Sequence, residues 1–469
     1  MVGLSKGTNL SLRTHGGKLR NERPSSKGAF GVLVFLLVLT GWLQAQPSKN
    51  LEAKAKRFVE LMSQGRYDQA ETMLDNTMKK AMPAPKIEEV WKGLLAQAGP
   101  YKGQLRTRRE SIQGYEIVFV TCQFSKGSLD VKVVFDGKGL ISGLWVVPAE
   151  DPRPWKAPPY VDRGKFEDRE VTIGQGEWRL PGTVSLPKGA GPFPGLVLVH
   201  GSGPQDRDET LGPNKPFKDL AWGCATGGIA VLRYEKRTKE HGGKMQSMSS
   251  GLTVMEETVL DARLAVDVLR GQPEVAPDRV CLLGHSLGGM LAPRIAQGQT
   301  GVRAIIILAG TTRKLEDVML DQIQYIAKLD GEVSKEEQAK IDAVSAEVER
   351  IKKLTPADRE KTSILGAGSA YWLDLNRYDA VALAQKVKKP ILVLQGGRDY
   401  QVTMEDLKGW QEVKSNRPGV TVKVYPPLNH IFAAGKGTCT PQEYSNPSHV
   451  AQEVVRDIAG WVVHVTGTP

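Results

Sequence analysis

The chain of 469 residues is too long for one ordinary domain and long enough to bury a large core without metal or disulfide staples. Hydrophobic residues make up 40% and charged residues 25%, which excludes a disordered or fibrous class. The net charge of +11 invites a nucleic-acid reading, but its location weakens that reading. Six basic side chains and one acid crowd into residues 1–28, and the remainder has no long basic run interleaved with aromatics.

That basic tail (Lys6, Arg13, Lys18, Arg20, Arg23 and Lys27) runs into the apolar stretch from Ala29 to Leu43. A positive segment, a short apolar segment and the small residue Ala45 together predict a signal for export, residues 1–45, to the periplasm or the exterior. The alternative is an uncleaved membrane anchor over residues 29–45, for which the apolar run is short. Cys122, Cys224, Cys281 and Cys439 lie too far apart to resemble a small disulfide scaffold. Cys281 falls in an apolar run and reads as a buried small hydrophobe.

Residues 46–147 are expected to form a small α+β domain. Leu51, Ala55, Phe58 and Met62 make one helical stripe, and Tyr67, Ala70, Leu74 and Met78 a second. Strands are predicted over 115–124, 129–135 and 140–147, with Asp136-Gly137-Lys138-Gly139 as the turn between the last two. Five prolines across 148–165 mark a linker.

From residue 166 the pattern alternates strand and helix, which predicts a mostly parallel twisted sheet with helices on both faces. The expected strands include 196–199, 229–233, 280–283, 304–308, 391–394 and 420–424. Helices carry Val259, Ala262, Val266 and Leu269, and finally Val450, Val454, Ile458 and Trp461, on one face. The alternation stops at about 312–370. This charged, helix-prone stretch reads as a helical cap over the sheet edge, or as a solvated hairpin without a part in binding.

Gly284-His285-Ser286-Leu287-Gly288 fits a G-x-S-x-G turn, with an apolar strand leading in and a helix-compatible run leading out. Such a turn exposes a serine at a helix N-terminus, where developing negative charge is favoured. The hydroxyl needs a base to become a nucleophile. Of seven histidines, His15 lies in the tail, His200 in a glycine loop, His241 in a polar loop, His285 inside the turn, and His449 and His464 in the final helix region. His430 remains, on the loop after the last predicted strand. Asp399 follows the strand 391–394 and leaves the same sheet edge, where open α/β sheets place their sites. It is the candidate acid that fixes the imidazole. The oxyanion donors expected are the backbone N–H groups of Leu287 and of Ser202 in His200-Gly201-Ser202-Gly203. Tyr371 and Trp372 are candidates to line the substrate pocket. No metal-ligand motif and no phosphate loop is present, so no metal or cofactor is expected.

The run from Gly201 to Glu209, together with Arg233-Tyr234-Glu235-Lys236-Arg237, Gly284 to Gly289, Asp399 and His430, resembles the bacterial EstD-like esterases. The resemblance covers most of residues 51–465, with Glu235 standing where relatives often have Asp. It implies an α/β-hydrolase fold over residues 166–469, an N-terminal α+β domain of unassigned role, and a carboxylesterase of short acyl esters. A serine aminopeptidase would share the three residues but need an anionic pocket for the substrate's amino end, for which Asp206, Asp208 and Glu209 are candidates. A scaffold that only binds a ligand would leave the oxyanion glycines unexplained.

Overall fold

The computed structural model describes residues 51–112, 115–149, 155–247, 251–359 and 363–467. The export segment expected at residues 1–45 lies outside them. The helix Leu51–Ser63 buries the expected Ala55, Phe58 and Met62. The second stripe is not one helix but two, Tyr67–Thr72 and Asn76–Ala81. Asp75 breaks it by capping the second piece, accepting 2.7 Å from Met78 N–H. Two further elements were not legible: the helix Ala84–Ala98 and the long strand Tyr101–Ile112. That strand opens a four-stranded antiparallel meander, continued by Tyr115–Phe124, Gly127–Phe135 and Ile141–Pro148. Asp136 accepts from Gly139 N–H and makes the expected turn before the last strand.

The larger sheet has eight strands. From edge to edge they are Val420–Tyr425, Ile391–Gly396, Ala304–Leu308, Val275–His285, Phe193–Val199, Ala230–Tyr234, Leu180–Pro187 and Phe166–Ile173. The first six are parallel, and the last two run antiparallel as a hairpin at one edge. Strands covered on both faces must be apolar along their whole length. Alternate residues therefore feed two cores. Val197, Val199, Leu282, Ile305, Ile307 and Val393 pack against the helices Leu260–Arg270, Leu287–Ala296 and Met404–Asn416. Leu196, Leu198, Cys281, Ile306 and Leu394 pack against Pro216–Thr226 and Gln452–Thr466. All four cysteines are free and buried.

The stretch after the strand Ala304–Leu308 forms the helices Leu315–Ala327, Lys335–Lys352 and Ser369–Arg377. Its base is tied down at Asp406, which is fully buried. That carboxylate accepts from Thr311 Oγ1 at 2.6 Å, Arg313 Nε at 2.9 Å and Thr403 N–H at 2.7 Å. Replacing Asp406 by Ala leaves a guanidinium and two donors facing a void. The expected loss is about 3 kcal/mol, measured as a lower urea midpoint at unchanged slope.

Candidate active site

The strand Val275–His285 ends one residue before Ser286, and the helix Leu287–Ala296 begins one residue after it. Ser286 itself has φ 53°, a left-handed backbone that a non-glycine residue adopts only when its surroundings enforce it. The enforcement is visible. Ser286 N–H donates to Leu308 O at 2.9 Å. A Cβ on Gly284 would lie 2.1 Å from Gly288 O, so strand and helix approach too closely for any side chain there. Leu287, the first helical residue, has an N–H without an intrahelical acceptor.

Asp399 and His430 leave the neighbouring strand ends and meet. Asp399 Oδ2 lies 2.7 Å from His430 Nδ1, and both side chains are buried. The other carboxylate oxygen accepts from Gln401 N–H at 2.8 Å and Val402 N–H at 3.0 Å. Asp399 is not the cap of the following helix, because Thr403 and Asp406 make a capping box there. The two loops touch backbone to backbone: a Cβ on Gly396 would sit 2.6 Å from both Leu428 O and Asn429 O. His430 and Ser286 share a small recess of about 120 Å³ with Gly201, Gln205, Leu211, Gln401 and Ile431.

On the other side of Ser286 opens a cavity of about 460 Å³. Ser202, Leu287, Tyr371 and Trp372 all reach its wall. So do Leu315, Val318 and Met319 of the cap, which therefore is no detached solvated hairpin. Trp372 is mostly core, with its indole N–H donating to Ile364 O at 2.8 Å. Tyr371 lies beside Glu257, and burial followed by that carboxylate's charge pushes its phenol well above the ordinary range.

Under the turn lies a buried network. Glu209, another left-handed residue with φ 52°, turns its carboxylate inward. Its Oε1 accepts from Gly201 N–H at 2.7 Å, and its Oε2 lies 2.8 Å from His285 Nδ1. His285 Nε2 lies 3.0 Å from His430 O. Burial raises the Glu209 carboxyl, but the His285 charge and contact, with the Gly201 N–H, together outweigh it and the net shift is downward. Burial lowers His285, but Glu209 outweighs that and the net shift is upward. His200 also feels the Glu209 charge, but burial outweighs it and pushes the ring down to about 4. Asp206 accepts from Thr210 N–H at 2.8 Å, and Asp208 pairs with Arg233 and Lys215. All three acids considered for an anionic pocket are thus committed to internal partners. Neither the Glu209–His285 pair nor the buried Lys236 was singled out by sequence reasoning; acids and a lysine in a polar run carry no mark of burial.

Two family models match the chain. One, described as a protein of unknown function (DUF3887), matches residues 55–144, and the other, "Serine aminopeptidase, S33", matches residues 215–433. Esterase EstD of Thermotoga maritima is 37% identical over 414 residues, 88% of this chain and 95% of that protein. Acyl-coenzyme A thioesterase 1 of Rattus norvegicus is 26% identical over 205 residues, 42% of this chain and 44% of that protein. The solved esterase of Pyrococcus furiosus is 17% identical, with a TM-score of 0.41 over 64% of this chain and 92% of that one. The likeness to EstD spans most of both chains, and the chain belongs to the EstD-like esterase family of the α/β-hydrolase fold.

Proposed function

We propose that the chain is a serine esterase that cleaves carboxylic esters through an acyl-enzyme. The observation that carries the reading is the 2.7 Å contact of Asp399 with His430 in the recess that also holds Ser286. Asp399 fixes the tautomer in which His430 Nε2 is free to act as a base. His430 takes the proton of Ser286 Oγ as that oxygen attacks the ester carbonyl. The resulting oxyanion is met by the N–H groups of Leu287 and Ser202. The C–O bond to the alcohol then breaks, His430 protonates the departing alkoxide, and the same base activates water to release the acid.

Because His430 must reach the leaving oxygen, the alcohol lies in the small recess and the acyl group in the larger cavity. Short acyl chains fit there. A volume of about 460 Å³ is within the range of sites that enclose whole small ligands, so longer chains are accepted too. A peptidase reading has less support, since Asp206, Asp208 and Glu209 have no free carboxylate to offer an amino terminus. Residues 1–45 are read as a cleaved export signal; sequencing the N-terminus of the exported protein should find a start at Gln46, and retention of residues 29–45 overturns this.

Ser286→Ala should abolish labelling by a fluorophosphonate and lower kcat on p-nitrophenyl butyrate by roughly 10⁴-fold or more. Asp399→Asn, which keeps the shape but favours the wrong tautomer, should cost about 10⁴-fold in kcat with KM little changed. Full turnover by either variant would refute the mechanism. Met319→Trp should narrow the acyl cavity and reduce kcat/KM for p-nitrophenyl octanoate at least about tenfold relative to the acetate ester.

A further inference from the structure

Lys236 is almost wholly inaccessible, with 2% of its surface exposed. A buried ammonium needs partners for its charge and its donors. Lys236 has two: Glu257 Oε1 at 2.8 Å and the backbone oxygen of Gly201, also at 2.8 Å. The second contact bears on the chemistry. Gly201 O belongs to the same peptide unit as Ser202 N–H, and that peptide is trans. In a trans peptide the carbonyl and the N–H point in opposite directions. A cation fixed on the carbonyl side therefore fixes where the N–H points, and Ser202 lines the cavity at Ser286. It also draws electron density toward the oxygen and makes the N–H a stronger donor, as happens along hydrogen-bonded chains.

The surrounding contacts keep this peptide from rotating. The N–H of Gly201 is taken by Glu209 Oε1 at 2.7 Å. Farther along the loop, Ser202 O accepts from Gln205 Nε2 at 3.1 Å and Gly203 O from Thr238 Oγ1 at 3.2 Å. Lys236 N–H donates to Gln205 O at 3.0 Å, so the oxyanion loop and the segment 236–238 are strapped together along several residues. Glu257 aims the ammonium from its other side. The carboxylate and ammonium together are neutral, so the site gains a directed dipole rather than a net charge.

We infer that Lys236 is a positioning residue for ester cleavage, orienting and polarising the Ser202 N–H that receives the oxyanion, through its grip on Gly201 O. The inference rests on Ser286 being the nucleophile. It goes beyond that reading by assigning the strength of the oxyanion hole to a side chain that touches neither substrate nor nucleophile.

The test uses the full chain with Lys236→Met combined with Glu257→Gln, so that no charge is left buried alone, and the wild type as the control. Three readouts are taken: kcat and KM on p-nitrophenyl butyrate, affinity for an alkyl trifluoromethyl ketone, and the infrared carbonyl band of a slowly deacylating Ser286 ester. Relative to the control, the double variant should lose about 10- to 100-fold in kcat with KM within about twofold. Ketone affinity should fall by the same factor, and the acyl carbonyl band should move to higher wavenumber as its hydrogen bond weakens. A folded double variant that acylates Ser286 yet keeps the control's ketone affinity and carbonyl band overturns the inference and leaves the nucleophile assignment intact. Failure of the wild type to acylate at Ser286 is a different result and removes the nucleophile assignment itself. Should the double variant not fold, the wild-type Ser202 amide proton decides: it should shift downfield when the ketone adduct forms, and an unmoved resonance overturns the inference.

Discussion

The carboxylate of Glu209 and the imidazole of His285 meet in a place where neither tolerates its charge alone, and three loops depend on that meeting. Both ring nitrogens of His285 face oxygen atoms, a carboxylate on one side and the His430 carbonyl on the other. With Glu209 ionised, a proton on each nitrogen would be matched by an oxygen, which favours the charged ring. Its positive charge holds Glu209 ionised, and Glu209 in turn holds Gly201. One pair thus joins the oxyanion loop, the nucleophile turn and the histidine loop. Its pH window follows from the two shifts. The Glu209 contribution to stability is complete above the ordinary carboxylate range and fades as pH falls through its lowered value. The His285 contribution is complete below the ordinary imidazole range and fades as pH rises through its raised value. Between those limits the pair is at full strength.

Around this pair the precision of the site comes from backbone packed on backbone. Glycine at 284 lets the helix press against the strand, and glycine at 396 lets the acid loop press against the histidine loop. Such contacts have few soft degrees of freedom, because peptide units bend little and carry no rotamers. Flexible side chains would leave the angles between Ser286, Asp399 and His430 to chance. Here the sheet sets them: the parallel strands that precede Ser286, Asp399 and His430 end along one edge, with Ala304–Leu308 lying between the first and the second.

Much of this was legible in the sequence, for identifiable reasons. Strands buried on both faces, such as Ala304–Leu308 and Ile391–Gly396, have no polar residue to blur them except Gln395 near the end of the second, and a loop that leaves such a strand has a known edge. Asp399 and His430 could therefore be placed near each other without coordinates. The helix Ala84–Ala98 escaped notice because its buried residues, Ala84, Ile87 and Trp91, are few among polar neighbours. The strand Tyr101–Ile112 carries four arginine or lysine side chains and reads as surface. The burial and partners of Glu209 and Lys236 were hidden for a deeper reason. Whether a charged side chain turns inward is decided by a local backbone bend and a partner far along the chain, and neither leaves a periodic trace.

The division of space around Ser286 has a further consequence. On the proposed acyl-enzyme route, the tight side next to His430, about 120 Å³, is emptied when the first product leaves, while the broad side stays filled by the bound acid portion. Whatever small hydroxylic molecule enters the vacated corner is then positioned for deprotonation, whether it is water or a simple alkanol. With methanol or ethanol added, the intermediate would divide between hydrolysis and alcoholysis, in a ratio set by how well each nucleophile fits that corner. On that proposed route the protein would exchange one ester for another as well as hydrolyse it.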